Sequence, residues 1–303
     1  MITVVALGGN ALIRAGDKGT AAEQAARLRE TADALGPVLR DGDVVITHGN
    51  GPQVGNELLR QERAAEEVPP LPLYLAVAQT QAEIGSLIET ELGPVAGRPV
   101  TCLLTHVVVD GSDPAFERPT KPIGPFYSSE QARALEQERG WQLVEELGRG
   151  WRRAVPSPTP LEVVEAEQIR ALLAAGTVPV ACGGGGIPVV RRDGRLQGVD
   201  AVIDKDRASA VLAAELGAER LLILTDVPAV KRWFGTPAEE EIRELTPDEA
   251  EKLLIDLAEG SMRPKVEAAI AMAHSGGEAI ITSLDGVEDA LASRAGTRVS
   301  AKG

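Results

Sequence analysis

Ile2-Thr3-Val4-Val5-Ala6-Leu7-Gly8-Gly9-Asn10 reads as a short buried strand that runs straight into a glycine turn. Ala21 to Leu39 then carries apolar residues at helical spacing, so the unit is strand, glycine turn, helix. It recurs at once. Val44 to Thr47 reads as a strand, His48-Gly49-Asn50-Gly51 as its turn, and Pro52 stands at a first helical position. Leu73 to Leu92 is a further helical stretch and Val100 to Val109 a long buried strand. After a break, Leu161 to Ala175 resumes as helix and Val178 to Cys182 as strand, followed directly by Gly183 to Gly186. Val189 to Val199 is a hairpin signal with Asp193-Gly194 at its turn. Asp204 to Leu216 predicts a helix, Leu221 to Leu224 a strand ending in Thr225-Asp226, Thr246 to Leu257 and Lys265 to Ser275 helices, and Ala279 to Thr282 a last strand. Such alternation predicts an α/β fold with a mainly parallel sheet covered by helices.

The rhythm lapses between Asp110 and Pro160, where prolines, aromatics and charges crowd together and only Glu130 to Arg139 looks helical. We read residues 110–160 as an inserted subdomain too poor in apolar residues to stand alone. A chain of 303 residues with 44% hydrophobic and 25% charged content is globular, not disordered or fibrous. No apolar run approaches the roughly 20 residues needed to span a bilayer, and Ile2 to Leu7 lacks the layout of a secretion signal, so a cytoplasmic protein with no membrane partner is expected. The net charge of -14 argues against nucleic acid. Cys102 and Cys182 are far apart in apolar runs and suit free thiols better than a disulfide or metal site. No metal-binding set drawn from protein side chains is expected.

In open α/β sheets ligands bind beyond the carboxyl ends of the strands, and the glycine clusters stand there. Glycine lets main-chain N–H groups approach an anion, and a helix N-terminus adds partial positive charge. Three such turns point to phosphate. Of only three asparagines, Asn10 and Asn50 occupy two of the turns; each suits either amide donation to an oxyanion or the left-handed conformation asparagine tolerates. The P-loop, Gly-x-Gly-x-x-Gly and protein-kinase signatures are missing, which disfavours those enzymes. Of 31 basic residues only seven are lysine, and Lys121, Lys205 and Lys265 lie in compact contexts flanked by proline or aspartate. Phosphoryl transfer asks for in-line positioning and positive charge on the migrating group. Lys205 and Lys265 fit that need, with Asp206 to hold them and Asp204 and Asp226 as further acidic candidates. The Asp204-Lys205-Asp206 run also suits a plain helix start. No proton transfer calls for His48, His106 or His274.

Several blocks together are specific. They are Ala6-Leu7-Gly8-Gly9-Asn10-Ala11-Leu12, His48-Gly49-Asn50-Gly51-Pro52-Gln53-Val54-Gly55, Pro119-Thr120-Lys121-Pro122-Ile123-Gly124-Pro125-Phe126-Tyr127, Val202-Ile203-Asp204-Lys205-Asp206 and Gly260-Ser261-Met262-Arg263-Pro264-Lys265-Val266. On these the chain resembles the carbamate kinase family of the amino acid kinase superfamily, nearly end to end. The resemblance implies one three-layer α/β/α sandwich over residues 1–303. Its N-lobe, about 1–180, takes the phosphoryl acceptor; its C-lobe, about 181–303, takes the nucleotide; and residues 110–160 protrude. It implies catalytic roles for Lys121, Lys205, Asp206 and Lys265. Gly8, Gly9, Asn10, Gly49, Asn50 and Gly51 are implied around carbamate, and Gly183, Gly184, Thr225, Asp226, Val227, Met262 and Lys265 around ATP or ADP, with Mg²⁺ carried on the nucleotide. It further implies transfer between ATP and carbamate to give ADP and carbamoyl phosphate, often in the ATP-forming direction after arginine, agmatine or a ureide is degraded, in a homodimer. Relatives with a Gly-Gly-Lys turn carry a lysine where Asn10 stands, so Lys121 is expected to supply that cation. The segment before Gly260 departs from the family in being short and charged. Two rival readings are a relative with another small acid or phosphonate acceptor, and a nucleotide-binding regulator without turnover.

Overall fold

The computed structural model describes residues 1–14, 16–146, 148–257 and 262–301. Strand and helix alternate from the start through β1 (Ile2–Leu7), α1 (Ala21–Asp41), β2 (Asp43–His48), α2 (Gly51–Arg63), α3 (Leu73–Ala96), β3 (Val100–Cys102) and β4 (His106–Val109). Then come β5 (Lys121–Tyr127), α4 (Ser129–Arg139), β6 (Gln142–Glu146), β7 (Gly150–Val155), β8 (Pro160–Val163), α5 (Ala166–Ala174), β9 (Val178–Val180) and the hairpin β10 (Ile187–Arg192) and β11 (Arg195–Gly198). The rest comprises α6 (Lys205–Leu216), β12 (Arg220–Thr225), β13 (Val230–Arg232), β14 (Glu240–Ile242), β15 (Glu244–Leu245), α7 (Pro247–Leu253), α8 (Met262–His274), β16 (Glu278–Ser283), α9 (Val287–Leu291) and β17 (Thr297–Ser300).

The central sheet has eight strands in the order β15-β17-β16-β12-β1-β2-β9-β3, parallel except between β16 and β17. Its strands are apolar on both faces because both are covered. In β1, Val4 and Ala6 join the apolar cluster that holds Leu212 of α6 and Val266 of α8. Val5 and Leu7 join the opposite one, with Leu35 of α1 and Ile88 of α3. One period-two strand thus serves two helical layers, which makes the three-layer α/β/α arrangement. Among the described residues no helix is long and apolar enough to cross a membrane.

Three segments differ from expectation. Val100 to Val109 is not one strand: β3 pairs in the central sheet, whereas β4 belongs to a second sheet ordered β11-β10-β4-β8. The side chain of Gln81 intervenes, accepting from Thr105 N (2.9 Å) and donating to Thr105 O (3.1 Å), so a helix residue takes the place of a neighbouring strand at the crossing. Leu161 to Val163 is strand rather than helix, since β8 pairs antiparallel with β4 and α5 starts only at Ala166. Between residues 110 and 160, α4 is accompanied by a three-stranded antiparallel sheet, β5-β7-β6. Glu in β6, Arg in β7, and Pro122, Gly124 and Pro125 in β5 interrupt the apolar pattern, which hides their period. The hairpin turn does form at Asp193 (φ 48°) and Gly194 (φ 74°), both left-handed as a primed turn needs.

The small sheet docks on α2 where two main chains meet. A Cβ on Gly55 would fall 2.0 Å from Gly124 Cα, so only glycine allows β5 to lie so close to the helix. That contact seats the strand that begins with Lys121.

Candidate active site

The first residue of α6 is Lys205, because Asp204 in extended conformation caps the helix through its side chain, which accepts from Asp206 N (2.9 Å) and Arg207 N (3.4 Å). Capping aims Lys205 and Asp206 into the cleft at the carboxyl end of β2. Asp206 is buried and accepts from both Lys205 Nζ and Lys265 Nζ, the latter at 2.9 Å from α8. Lys121 Nζ reaches across from β5 to the second oxygen of Asp204 at 2.8 Å. The three lysines singled out in the sequence therefore converge on two adjacent carboxylates. Asp204 was expected only as a further acidic candidate; its double engagement is a tertiary fact.

The electrostatics follow from burial against pairing. Burial opposes ionisation of Asp206, but the two lysines outweigh it and hold its carboxyl below the usual range. Asp204 is likewise pulled far down against its burial, chiefly by Lys121. Burial works against the Lys265 ammonium, yet Asp206, with Asp204 and Asp226 behind it, keeps that group above the ordinary lysine value. For Lys205, burial and repulsion from Lys265 prevail over Asp206 and lower its pKa.

Glycine turns border this cluster. Gly49 lies over the stem of Lys205, with a Cβ there 3.6 Å from Lys205 Cδ. Gly51 begins α2, and Asn50 is buried, donating to Thr80 Oγ1 at 2.9 Å. Gly8 abuts the carbonyl of Leu224, so the turn after β1 touches the end of β12, and Gly9 starts a short 3-10 turn. The side chain of Asn10 lies outside the described residues. Gly183 and Gly184, expected around the nucleotide, pack against His48 and Asn50, beside the turn expected to hold the acceptor. The physical reason is the parallel pairing of β9 with β2, which carries the turn after β9 to the turn after β2.

Asp226, Val227 and Met262 line one large cavity of about 910 Å³ beside β12, together with Trp233, Phe234 and Leu253. Thr225 stands next to it and donates to Asp226 Oδ1 at 3.1 Å, without lining the cavity. The aromatic pair Trp233-Phe234, which sequence reasoning passed over, is exposed at its mouth. Residues 258–261, which include Gly260 and the end of the short segment before it, lie outside the described residues. Among the described residues no group of three or more His, Cys, Asp or Glu side chains forms a metal site. Cys102 and Cys182 are free, and burial pushes the Cys102 thiol up to about 11.

His48 is fully buried, with Nδ1 3.0 Å from Gly49 O and no partner for Nε2. Burial, aided by repulsion from Lys205 and only partly offset by that hydrogen bond, drops its pKa to about 4 from an ordinary 6.5. A proton that the unfolded chain accepts below pH 6.5 is refused by the folded chain until about pH 4. Stability is therefore lost as pH falls through that window, by at most about 3 kcal/mol. Urea unfolding between pH 7 and 4.5 should show this slope, and His48→Asn should flatten it; an unchanged slope refutes the assignment. His106 is tied instead to Glu165, and His274 pairs with Glu251 on the surface.

The amino acid kinase family model matches residues 1–283. A carbamate kinase of Thermococcus kodakarensis is 45% identical over 98% of both chains. Carbamate kinase from Giardia lamblia bound to citric acid superposes with a TM-score of 0.92 at 38% identity, covering 99% of this chain and 98% of that one. The same Giardia enzyme bound to AMP-PNP gives a TM-score of 0.90 at the same identity and coverage.

Proposed function

The chain belongs to the amino acid kinase family and, within it, to the carbamate kinases; from that membership we propose that its cleft transfers a phosphoryl group reversibly between ATP and carbamate. The observation that carries the residue assignment is Asp206 holding Lys205 and Lys265 side by side beneath the Gly49 turn. In the ATP-forming direction a terminal oxygen of ADP forms the new P–O bond as the bond to carbamate breaks. Carbamate leaves as an anion, so no general acid is required, which agrees with a buried neutral His48.

Lys205 and Lys265 place positive charge on the oxygens of the migrating group, and Asp206 fixes both without quenching them. Main-chain amides at Gly8, Gly9 and Gly49 to Gly51 cradle carbamate and the transferred group, the second turn with the help of the α2 N-terminus. Asp226, Val227 and Met262 hold the nucleotide in the large cavity, in line with the nucleotide analogue bound by the Giardia enzyme. In this reading residues 1–180 form the acceptor lobe, 181–303 the nucleotide lobe, and 110–160 the protruding insertion that delivers Lys121. Asp204 and Asp206 are taken up by lysines, so Mg²⁺ fits as a cation on the nucleotide phosphates, not as a protein-held ion. When bound there it neutralises phosphate oxygens. A cytoplasmic homodimer that makes ATP from carbamoyl phosphate produced by arginine, agmatine or ureide breakdown completes the proposal.

Production of ATP from ADP and carbamoyl phosphate tests it. Binding of nucleotide without turnover, or turnover only with a larger acid as acceptor, overturns it. Lys121→Ala should cripple this reaction by about 100-fold while leaving ADP affinity intact in calorimetry; unchanged turnover removes the insertion from the mechanism.

A further inference from the structure

One side of α2 carries Gly55, Leu58, Leu59 and Glu62, at the spacing that stacks residues along a helix face, and this side meets the small sheet. The seam leaves a hollow of about 10 Å³, room for one water at most, too small for a ligand. At its far end Glu62 of α2 bridges Arg139, at the end of α4, at 3.0 Å and Arg153 of β7 at 4.0 Å. Both guanidiniums lie against the ring of Trp141, with centroid distances of 5.2 and 4.5 Å. Glu62 keeps only a fifth of its side chain exposed, and it is the carboxylate that bridges the two cations sharing this indole, with Asp200 acting on Arg153 alone.

The joint leads directly to Lys121. Arg153 pairs with Ile123 across β5 and β7, and Lys121 pairs with Val155 two residues on, so Arg153 and Lys121 belong to one short antiparallel ladder. The opposite end of α2 is Gly51, the last residue of the glycine turn proposed to hold the acceptor. Eleven helical steps from Gly51 to Glu62, about 16 Å, thus connect the cradle to the clamp on the insertion. The Gly55–Gly124 contact provides a pivot between them.

We propose that Glu62 is a positioning residue for the phosphoryl transfer: by clamping Arg139 and Arg153 it fixes the tilt of the small sheet on α2 and so the reach of Lys121 into the cleft. This rests on the role of Lys121 proposed above. A tilt about the Gly55–Gly124 pivot moves the Lys121 ammonium and leaves Lys205, Lys265 and the nucleotide cavity in place.

The test is a double-mutant cycle on the full-length enzyme, with Glu62→Ala, Lys121→Ala and the pair, read as kcat/KM for carbamoyl phosphate and as ADP affinity. Glu62→Ala alone should lower kcat/KM about 10-fold, short of the ~100-fold that a 1 Å misplacement can cost, with ADP affinity unchanged. In the Lys121→Ala background the same change should alter kcat/KM by no more than about twofold. Glu62→Gln, which keeps the shape but not the charge, should lie between wild type and Glu62→Ala. Equal losses from Glu62→Ala in both backgrounds, or no loss in the wild type while Lys121→Ala is crippled, overturn the clamp. An active Lys121→Ala enzyme overturns both readings and is recognised from that single variant.

Discussion

Lys265→Ala is expected to lower ATP formation from ADP and carbamoyl phosphate by more than ~100-fold, the scale on which one preorganised charge stabiliser is lost. Lys265 is the most secure cation of the cluster. It is only 8% exposed, its ammonium is 2.9 Å from Asp206, and the surrounding carboxylates keep it charged despite burial. Its charge is thus present throughout the neutral range and already oriented before substrate arrives. Removing it leaves Asp206 paired with Lys205 alone, so the fold should survive while the transferred group loses one of its two flanking charges. Steady-state rates at saturating ADP, with unfolding curves as a control, give the answer. A folded Lys265→Ala protein that turns over near the wild-type rate would refute the assignment.

Asp206→Ala should be the most damaging change to the protein as a whole. It leaves two ammoniums beside each other in a buried site with no carboxylate between them, a situation that costs about 3–5 kcal/mol when a buried charge loses its partner. Lys205, whose pKa is already lowered by burial and by Lys265, would give up its proton first. Activity and stability should therefore fall together, in contrast to Lys265→Ala. Urea midpoints measured with activity on the same samples separate the two cases, and an Asp206→Ala protein as stable as wild type would show that the carboxylate is not what gathers the lysines.

Much of this was legible from one sequence, for reasons particular residues make plain. β1 is apolar at consecutive positions from Val4 to Leu7, which identifies a strand covered on both faces, and Asp193-Gly194 identifies the β10-β11 hairpin. The rarity of lysine drew attention to Lys121, Lys205 and Lys265, and the structure brings all three to one pair of aspartates. Where reading failed, the determinant lay far away along the chain. Nothing near Thr105 reveals that Gln81 breaks the strand there. Glu62 sits in the run Glu62-Arg63-Ala64-Ala65-Glu66-Glu67, which has the composition of any solvated helix end. The aromatic rim at Trp233 and Phe234 escaped because two exposed aromatics carry no pattern.

The carboxylate of Asp204 divides its oxygens, one closing the first turn of α6 and the other receiving Lys121. Fraying of that helix end therefore also takes away the partner of Lys121, whereas a small drift of the insertion leaves the cap in place. Under heat or denaturant, melting at the start of α6 should release Lys121 and disorder Lys205 in a single step.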